Sequence, residues 1–256
     1  MRVKLFLKRA VKAVLPYGIL VLYRYFKKQK ELKKIYGYKN YCPICRKAAC
    51  FRNFNTNFPR AKAQCPHCLS LERHRLLYLF LQKRTDIFSN RNKKILHVAA
   101  EPCFIDKFEK IYGDSYLTAD LINQNYKIKM DIMNIQYPNE TFDIIICNHV
   151  LEHVSDDKKA MGEFRRVLKN NGWAILLVPV DNRVEKTFED SSITTESGRL
   201  EVFGQKDHVR RYGRDYADRL KSVGFNVSII NSNELVSKKD IKKMGLLDEN
   251  IYYCKK

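Results

Sequence analysis

Two cysteine pairs have the spacing of a metal site. Cys42-Pro-Ile-Cys45 and Cys65-Pro-His-Cys68 are Cys-x-x-Cys units separated by 19 residues, within the range over which two such units close on one zinc ion. Each places two thiolates on a tight turn, and four sulfurs fill the tetrahedron that Zn2+ accepts. A four-thiolate site has no open position, so Cys42, Cys45, Cys65 and Cys68 are expected to hold a structural Zn2+ rather than to catalyse. Disulfides are the alternative, disfavoured in a chain without an export signal. His67 and Cys50 are nearby donors expected to stay out of the set. Around the pairs, Arg46, Lys47, Arg52, Arg60, Lys62, Arg73 and Arg75 alternate with Phe51, Phe54 and Phe58. That composition suits contact with nucleic acid, or the substitute core and solvated rim of a small module.

The chain that carries these cysteines has 256 residues, 45% of them hydrophobic. Wholesale disorder is excluded, and the length permits one large domain or one domain with an appendage. The net charge of +20 is unevenly placed: residues 1–40 carry +11, 41–95 carry +10, and 96–256 carry −1. A basic docking or recognition part therefore precedes an electrically balanced working body.

In the first segment, Lys4, Lys8 and Lys12 share one helix face while Leu7, Val11 and Val14 stack on another. Pro16-Tyr17-Gly18 interrupts this amphipathic helix before a Lys-rich run from Lys27 to Lys34. The longest uncharged stretch, Ala13 to Tyr23, has 11 residues, against the roughly 20 that a membrane span needs. No small-residue cleavage site follows it, which disfavours a secretory signal. A basic helix of this type suits an anionic membrane surface, through residues 1–34, or packing on its own domain.

From Lys94 the pattern changes to short β-rich runs separated by helix-like stretches. The expected strands are Ile95 to Ala99, Tyr116 to Ala119, Ile128 to Met130, Phe142 to Cys147, Ala174 to Val178, Phe225 to Ile230 and Ile251 to Cys254. Ser70 is placed to cap a helix over Leu71 to Gln82. A second helix is expected over Asp156 to Lys169, ending in a left-handed Asn170-Asn171-Gly172 cap. Strands alternating with helices predict an α/β fold with a doubly wound, mostly parallel sheet, whose ligands bind beyond the carboxyl ends of the strands. Asp120, at the end of the second strand, is placed to accept the hydroxyls of a ribose, or to cap the strand end.

The string FDIIICNHVLEHVSDDKKAMGEFRRVLKNNGWAILLVPV resembles class I S-adenosylmethionine-dependent methyltransferases, especially the type-11 group. The likeness covers roughly residues 94–231 and lies in the combination of a buried strand, a VLEHV helix start, an ExxRVLK helix, a Gly turn and another buried strand. It implies a seven-stranded Rossmann-like sheet and S-adenosyl-L-methionine as cofactor. By that resemblance Asp120, with Leu121, meets the ribose, Asp131 and Ile132 hold the adenine, and Asn148 and His149 lie beside the transferable methyl. The family's acidic residue and glycine loop after the first strand are replaced by His97, Ala99, Glu101 and Cys103. Glu101 is expected to meet the cofactor's ammonium group there, with His97 and Ala99 beside it. The cysteine pairs also resemble, in architecture, the zinc-bearing extension of certain ribosomal RNA guanine methyltransferases. Three parts follow: a basic helical segment (1–38), a zinc-ribbon-like module (39–70) and a methyltransferase domain (71–256).

Methyl transfer from a sulfonium is an in-line displacement, and a base is needed only for an acceptor that must lose a proton. His149 and His208 are the candidate bases, with His153 assigned a structural place beside Glu152. Arg210 and Arg211 suit an anionic acceptor or solvent. The LPYGI turn and its Lys-rich sequel resemble leading segments of some bacterial enzymes acting on surface-glycan precursors. The expectation is thus a cytoplasmic enzyme, peripheral at the inner face of the membrane, that O-methylates a sugar or lipid-linked glycan precursor. RNA methylation is the alternative, and a non-catalytic zinc-containing adaptor is the alternative of another class.

Overall fold

The computed structural model describes residues 40–54 and 59–256. The basic segment 1–38, with the membrane contact expected of it, and Phe58 lie outside the described residues. Four short strands open the described chain: β1 (Asn40–Cys42) pairs with β2 (Lys47–Ala49), and β3 (Arg52–Phe54) with β4 (Arg60–Gln64). Helix α1 (Glu72–Arg84) follows. Ser70 does not cap it: the N-cap is Leu71, and the Ser70 hydroxyl lies 3.3 Å from both the Cys42 and Cys68 sulfurs.

The body alternates as its apolar runs require. It comprises β5 (Ile95–Val98), α2 (Pro102–Tyr112), β6 (Tyr116–Asp120), β7 (Ile128–Lys129), β8 (Phe142–Asn148), α3 (Asp157–Val167) and β9 (Leu168–Leu177). After these come the β10 (Phe188–Glu189) strand, α4 (Glu196–Phe203), β11 (Arg210–Arg211), α5 (Tyr216–Ser222) and β12 (Asn226–Asn231). The chain finishes with α6 (Ser232–Leu235), α7 (Lys238–Met244) and β13 (Asn250–Lys255). The large sheet has the order β12-β13-β9-β8-β5-β6-β7. β5 pairs in parallel with both β6 and β8, and β13 runs antiparallel to β9 and β12. This is a seven-stranded, mostly parallel, Rossmann-like sheet whose strand order reverses between β5 and β8. The carboxyl ends there open into the crevice where such sheets take ligands.

β5 is buried along its whole length, as befits a central strand covered on both faces. Phe104, Phe108 and Tyr112 form the buried stripe of α2, and Ala160, Met161, Phe164 and Val167 that of α3. Two expectations are corrected. VLEHV does not begin a helix: residues 151–153 form a turn, and α3 starts at Asp157 after Asp156, whose carboxylate accepts the Lys159 amide at 2.9 Å. Nor is Gly172 a left-handed cap, because the chain leaves α3 at Leu168 directly into β9. Gly172 is required by proximity instead: a Cβ there would lie 2.9 Å from the Asp143 carbonyl oxygen and 2.8 Å from Leu168 Cδ1.

Candidate active site and four-cysteine centre

Both strands at the switch point end in a left-handed non-glycine residue, Ala99 after β5 (φ 47°) and His149 after β8 (φ 56°). Such backbone is costly and persists where surrounding contacts hold it. The Ala99 amide donates to the Ala119 carbonyl at 2.8 Å, and the His149 amide to the Leu177 carbonyl at 2.7 Å. These turns aim Glu101 and Asn148 at each other. Glu101 Oε1 accepts from Asn148 Nδ2 at 2.9 Å, and its Oε2 accepts from His97 Nε2 at 2.8 Å. A carboxylate only accepts, so His97 Nε2 carries the proton; His97 Nδ1 meets the Tyr116 hydroxyl at 2.8 Å. His74 of α1 reaches the same carboxylate, with Nε2 at 3.9 Å. Burial pushes the Glu101 carboxyl up, but the His97 hydrogen bond and the charges around it outweigh that and hold it down at about 2. Burial lowers His74 to about 4. At neutral pH the floor of the crevice is therefore one ionised carboxylate in a cage of imidazoles and an amide.

His97 is corrected as a ligand-contacting residue. It has no exposed surface, and both its nitrogens are engaged, so its part is to position Glu101. Asp120 ends β6 with Oδ1 accepting the Ile122 and Asn123 amides at 2.8 and 2.7 Å, while Leu121 beside it is exposed. Asp131 accepts the Met133 amide at 2.8 Å, and Ile132 is buried in the core. Ala99, Glu101, Asp120, Leu121, Asp131, Ile132 and Asn148 thus all sit at or just past the carboxyl ends of β5 to β8. His74 carried no sequence signal, since it reaches the site from a helix that precedes the sheet.

His149 lines a cleft of about 790 Å³. Its walls come from the cysteine module (Phe54, Arg60), α1 (Arg73), the loop after β8 (His149, Glu152, His153), the loop before β11 (Gln205, His208) and the segment before β13 (Asp248, Glu249). His149 Nδ1 lies 3.4 Å from Glu152 Oε1. Burial raises the Glu152 carboxyl, but the His149 hydrogen bond and the His149 and His153 charges bring it below the ordinary value. Burial lowers His208, which keeps its imidazole neutral at pH 7. The loop 151–155 is held by Arg210, whose Nη1 donates to the Leu151 and Val154 carbonyls at 2.6 Å each and whose Nη2 donates to Ser155 at 2.9 Å. Arg210 is 2% exposed and also pairs with Glu189, so it is not available to an anionic acceptor. Arg211 pairs with Asp181.

In the module, the residue after each Cys-x-x-Cys unit, Arg46 and Leu69, is left-handed (φ 57° and 58°), so the two units are alike in their turn geometry. The Cys42 and Cys68 sulfurs lie 3.5 Å apart and those of Cys45 and Cys65 3.8 Å, and all four fall within 4.8 Å of one another. Sulfurs 2.3 Å from a tetrahedral zinc stand about 3.8 Å from each other, whereas a disulfide needs about 2.05 Å. His67 and Cys50 are not in the cluster. Arg75 is corrected as a nucleic-acid contact. It is wholly buried and donates to the carbonyls of Ala63, Ser70, Met244 and Gly245, with its guanidinium 4.3 Å from the Phe51 ring centre.

The family described as Methyltransferase domain matches residues 90–176. Among curated proteins, an uncharacterized protein of Methanocaldococcus jannaschii is 39% identical over 69 residues, which cover 26% of this chain and 30% of that protein. Among solved structures, 1,6-didemethyltoxoflavin-N1-methyltransferase of Burkholderia thailandensis, with 1,6-didemethyltoxoflavin and S-adenosylhomocysteine bound, is 12% identical over 71% of this chain and 76% of its own, with a TM-score of 0.46. An S-adenosylmethionine-dependent methyltransferase from Mesorhizobium loti is 11% identical over 64% of this chain and 91% of its own, with a TM-score of 0.43. The family match spans β5 to β9, the part of the sheet around which Glu101, Asp120, Asp131 and Asn148 lie, and the four-cysteine cluster stands ahead of the matched stretch.

Proposed function

We propose that the protein is an S-adenosylmethionine-dependent methyltransferase acting on a hydroxyl of a sugar or lipid-linked glycan, with a structural zinc in its four-cysteine cluster. The observation that carries the reading is the ionised Glu101 at the switch point, with a cleft lined by His149 nearby. The cofactor's amino-acid end is cationic, and Glu101 offers it a fixed negative charge. Asn148 Oδ1 and His74 Nε2 are buried beside that carboxylate with no hydrogen-bond partner, which supports a polar ligand there. Asp120 would hold the ribose, and Asp131 and Ile132 the adenine. When bound, the cofactor supplies an electrophilic methyl on a sulfonium. His149 lines the cleft and is the group that would take the proton of an acceptor hydroxyl. The cleft favours a hydroxyl-rich acceptor, because the amides of Asn182, Gln205, Asn231 and Asn250 offer both donors and acceptors beside the carboxylates of Asp207 and Asp248 and the guanidiniums of Arg60 and Arg73. Among the described residues no helix is long and apolar enough to cross a membrane; docking of residues 1–34 on an anionic surface is part of this proposal.

Calorimetry with S-adenosylhomocysteine tests the site. The wild-type chain is expected to bind, and Asp120→Ala to weaken binding at least tenfold, about 1.4 kcal/mol; unchanged affinity rejects the assignment of Asp120. A wild-type chain that gives neither binding nor a thermal shift is an adaptor. Radiolabelled methyl transfer into lysate fractions decides the acceptor: label in the glycan or lipid fraction supports the proposal, and label in RNA overturns that part of it.

A further inference from the structure

We infer that Glu152, His153 and His208 form a binding site for one divalent transition-metal ion in the cleft, distinct from the four-cysteine cluster. One ligand atom from each of the three lies within 4.8 Å of the others. Two imidazoles and a carboxylate are a donor set that first-row divalent ions take, and three protein ligands leave coordination positions open.

Three further observations point to a cation. Glu152 is 1% exposed, and its Oε2 is buried with no hydrogen-bond partner, although Oε1 faces His149. A buried carboxylate oxygen with nothing opposite it is a costly feature that a bound cation satisfies. His153 Nδ1 lies 3.2 Å from the Asp207 carbonyl oxygen and 3.4 Å from its carboxylate. The proton therefore sits on Nδ1, the lone pair is left on Nε2, and the ring is oriented from behind as metal-bound histidines are. The His153 and His208 rings stand 4.8 Å apart at 85°. The frame around them is stiff: the Val209 amide donates to the Glu152 carbonyl at 2.9 Å, and Arg210 holds the Leu151, Val154 and Ser155 carbonyls. The three residues are thus fixed relative to one another by main-chain bonds.

The consequence for the chemistry rests on the methyltransferase reading. Glu152, His153 and His208 line the acceptor cleft, so the ion's open positions face the acceptor, and a vicinal diol of a sugar would fill two of them. A hydroxyl on a divalent cation loses its proton more readily. That proton passes to His149. The oxygen's electron pair then bonds the methyl carbon, and the carbon–sulfur bond breaks with its electrons returning to sulfur as a neutral thioether.

Manganese(II) separates this site from the cysteines, because thiolates select softer ions. Titration of the full chain with MnCl2, followed by the paramagnetic resonance of free Mn2+, is expected to show one ion bound per chain. His153→Asn and His208→Asn should each weaken it at least tenfold, as should Glu152→Gln. His153 lies at the surface, so its variant keeps the fold, and far-ultraviolet circular dichroism checks all three. No Mn2+ bound by the wild-type chain, or both histidine variants binding like wild type, overturns the site. S-adenosylhomocysteine is titrated into the same samples. Its binding without Mn2+ binding rejects the metal site and leaves the methyltransferase reading standing; Mn2+ binding without it supports the metal site and rejects that reading.

Discussion

Glu101 occupies a place where burial alone would protonate it, and it stays ionised because His97, His74 and Asn148 converge on its two oxygens. Its folded value of about 2 lies below the 4.5 of a free glutamate. The stability it contributes is therefore present above pH 4.5 and is lost as pH falls from 4.5 through 2, on the order of 3 kcal/mol in all. His74 acts in a higher window. Its folded value of about 4 lies below the ordinary 6.5, so the unfolded chain takes up a proton that the folded chain refuses, and stability falls between pH 6.5 and 4. Urea unfolding of wild type and variants across pH 7 to 3 should show the upper fall reduced in His74→Leu and the lower fall reduced in Glu101→Gln. Parallel curves for wild type and Glu101→Gln would mean that folding does not change the affinity of this carboxyl for its proton.

At the scale of elements, a close tolerance lies in β9, four residues past its junction with α3. Gly172 lets β9 pass the Asp143 carbonyl, and a backbone oxygen cannot give way as a flexible side chain can. Gly172→Ala is expected to destabilise by about 2 kcal/mol through overpacking, read as a lower urea midpoint at unchanged slope. Asn170-Asn171-Gly172 looked like a helix stop because those residue types favour turns; in the fold they fall in the irregularity of β9 between Leu168, which pairs with Phe142, and Trp173, which pairs with Ile144. Elsewhere local signals were present but weak against the loop background. α7 has Ser237 as its cap, accepting the Asp240 amide, and ends at the left-handed Gly245, whereas the two-residue pairing of β10 with β11 bridges more than twenty residues and has no local signature.

At the scale of the whole molecule, Arg75 joins three parts of the chain. It binds the cysteine module through Ala63 and Ser70, and the segment before β13 through Met244 and Gly245, from its own place on α1. Removing the guanidinium strands several buried carbonyls, and Arg75→Met is expected to cost on the order of 4 kcal/mol. Withdrawal of metal from the cysteine cluster should act more locally. After treatment with a strong chelator, amide hydrogen exchange is expected to rise first in residues 40–54 and 59–70, with β5, β8 and β9 still protected. Loss of protection in both together would show that the cluster is needed for the sheet itself.

The fold class and the membership of the cysteine set were legible in the sequence because both are local. Buried runs such as Ile95 to Val98 and Phe142 to Cys147 announce central strands by composition, and Cys-x-x-Cys brings two thiols onto one turn wherever the unit sits. The acidic residues at the strand ends followed from the same reading, since strand ends can be located by where the apolar run stops. What only the tertiary structure decided is which distant groups meet. His208 lies more than fifty residues from Glu152 and His153 and reaches them because Val209 and Arg210 tie its loop to theirs. His74 faces Glu101 only because α1 packs beside the crevice. Arg75 and Arg210 read as surface cations by type, and their burial follows from carbonyls supplied by elements far away in the chain. A residue's type limits the chemistry open to it, while its partners are set by packing across the sheet, which no local pattern encodes.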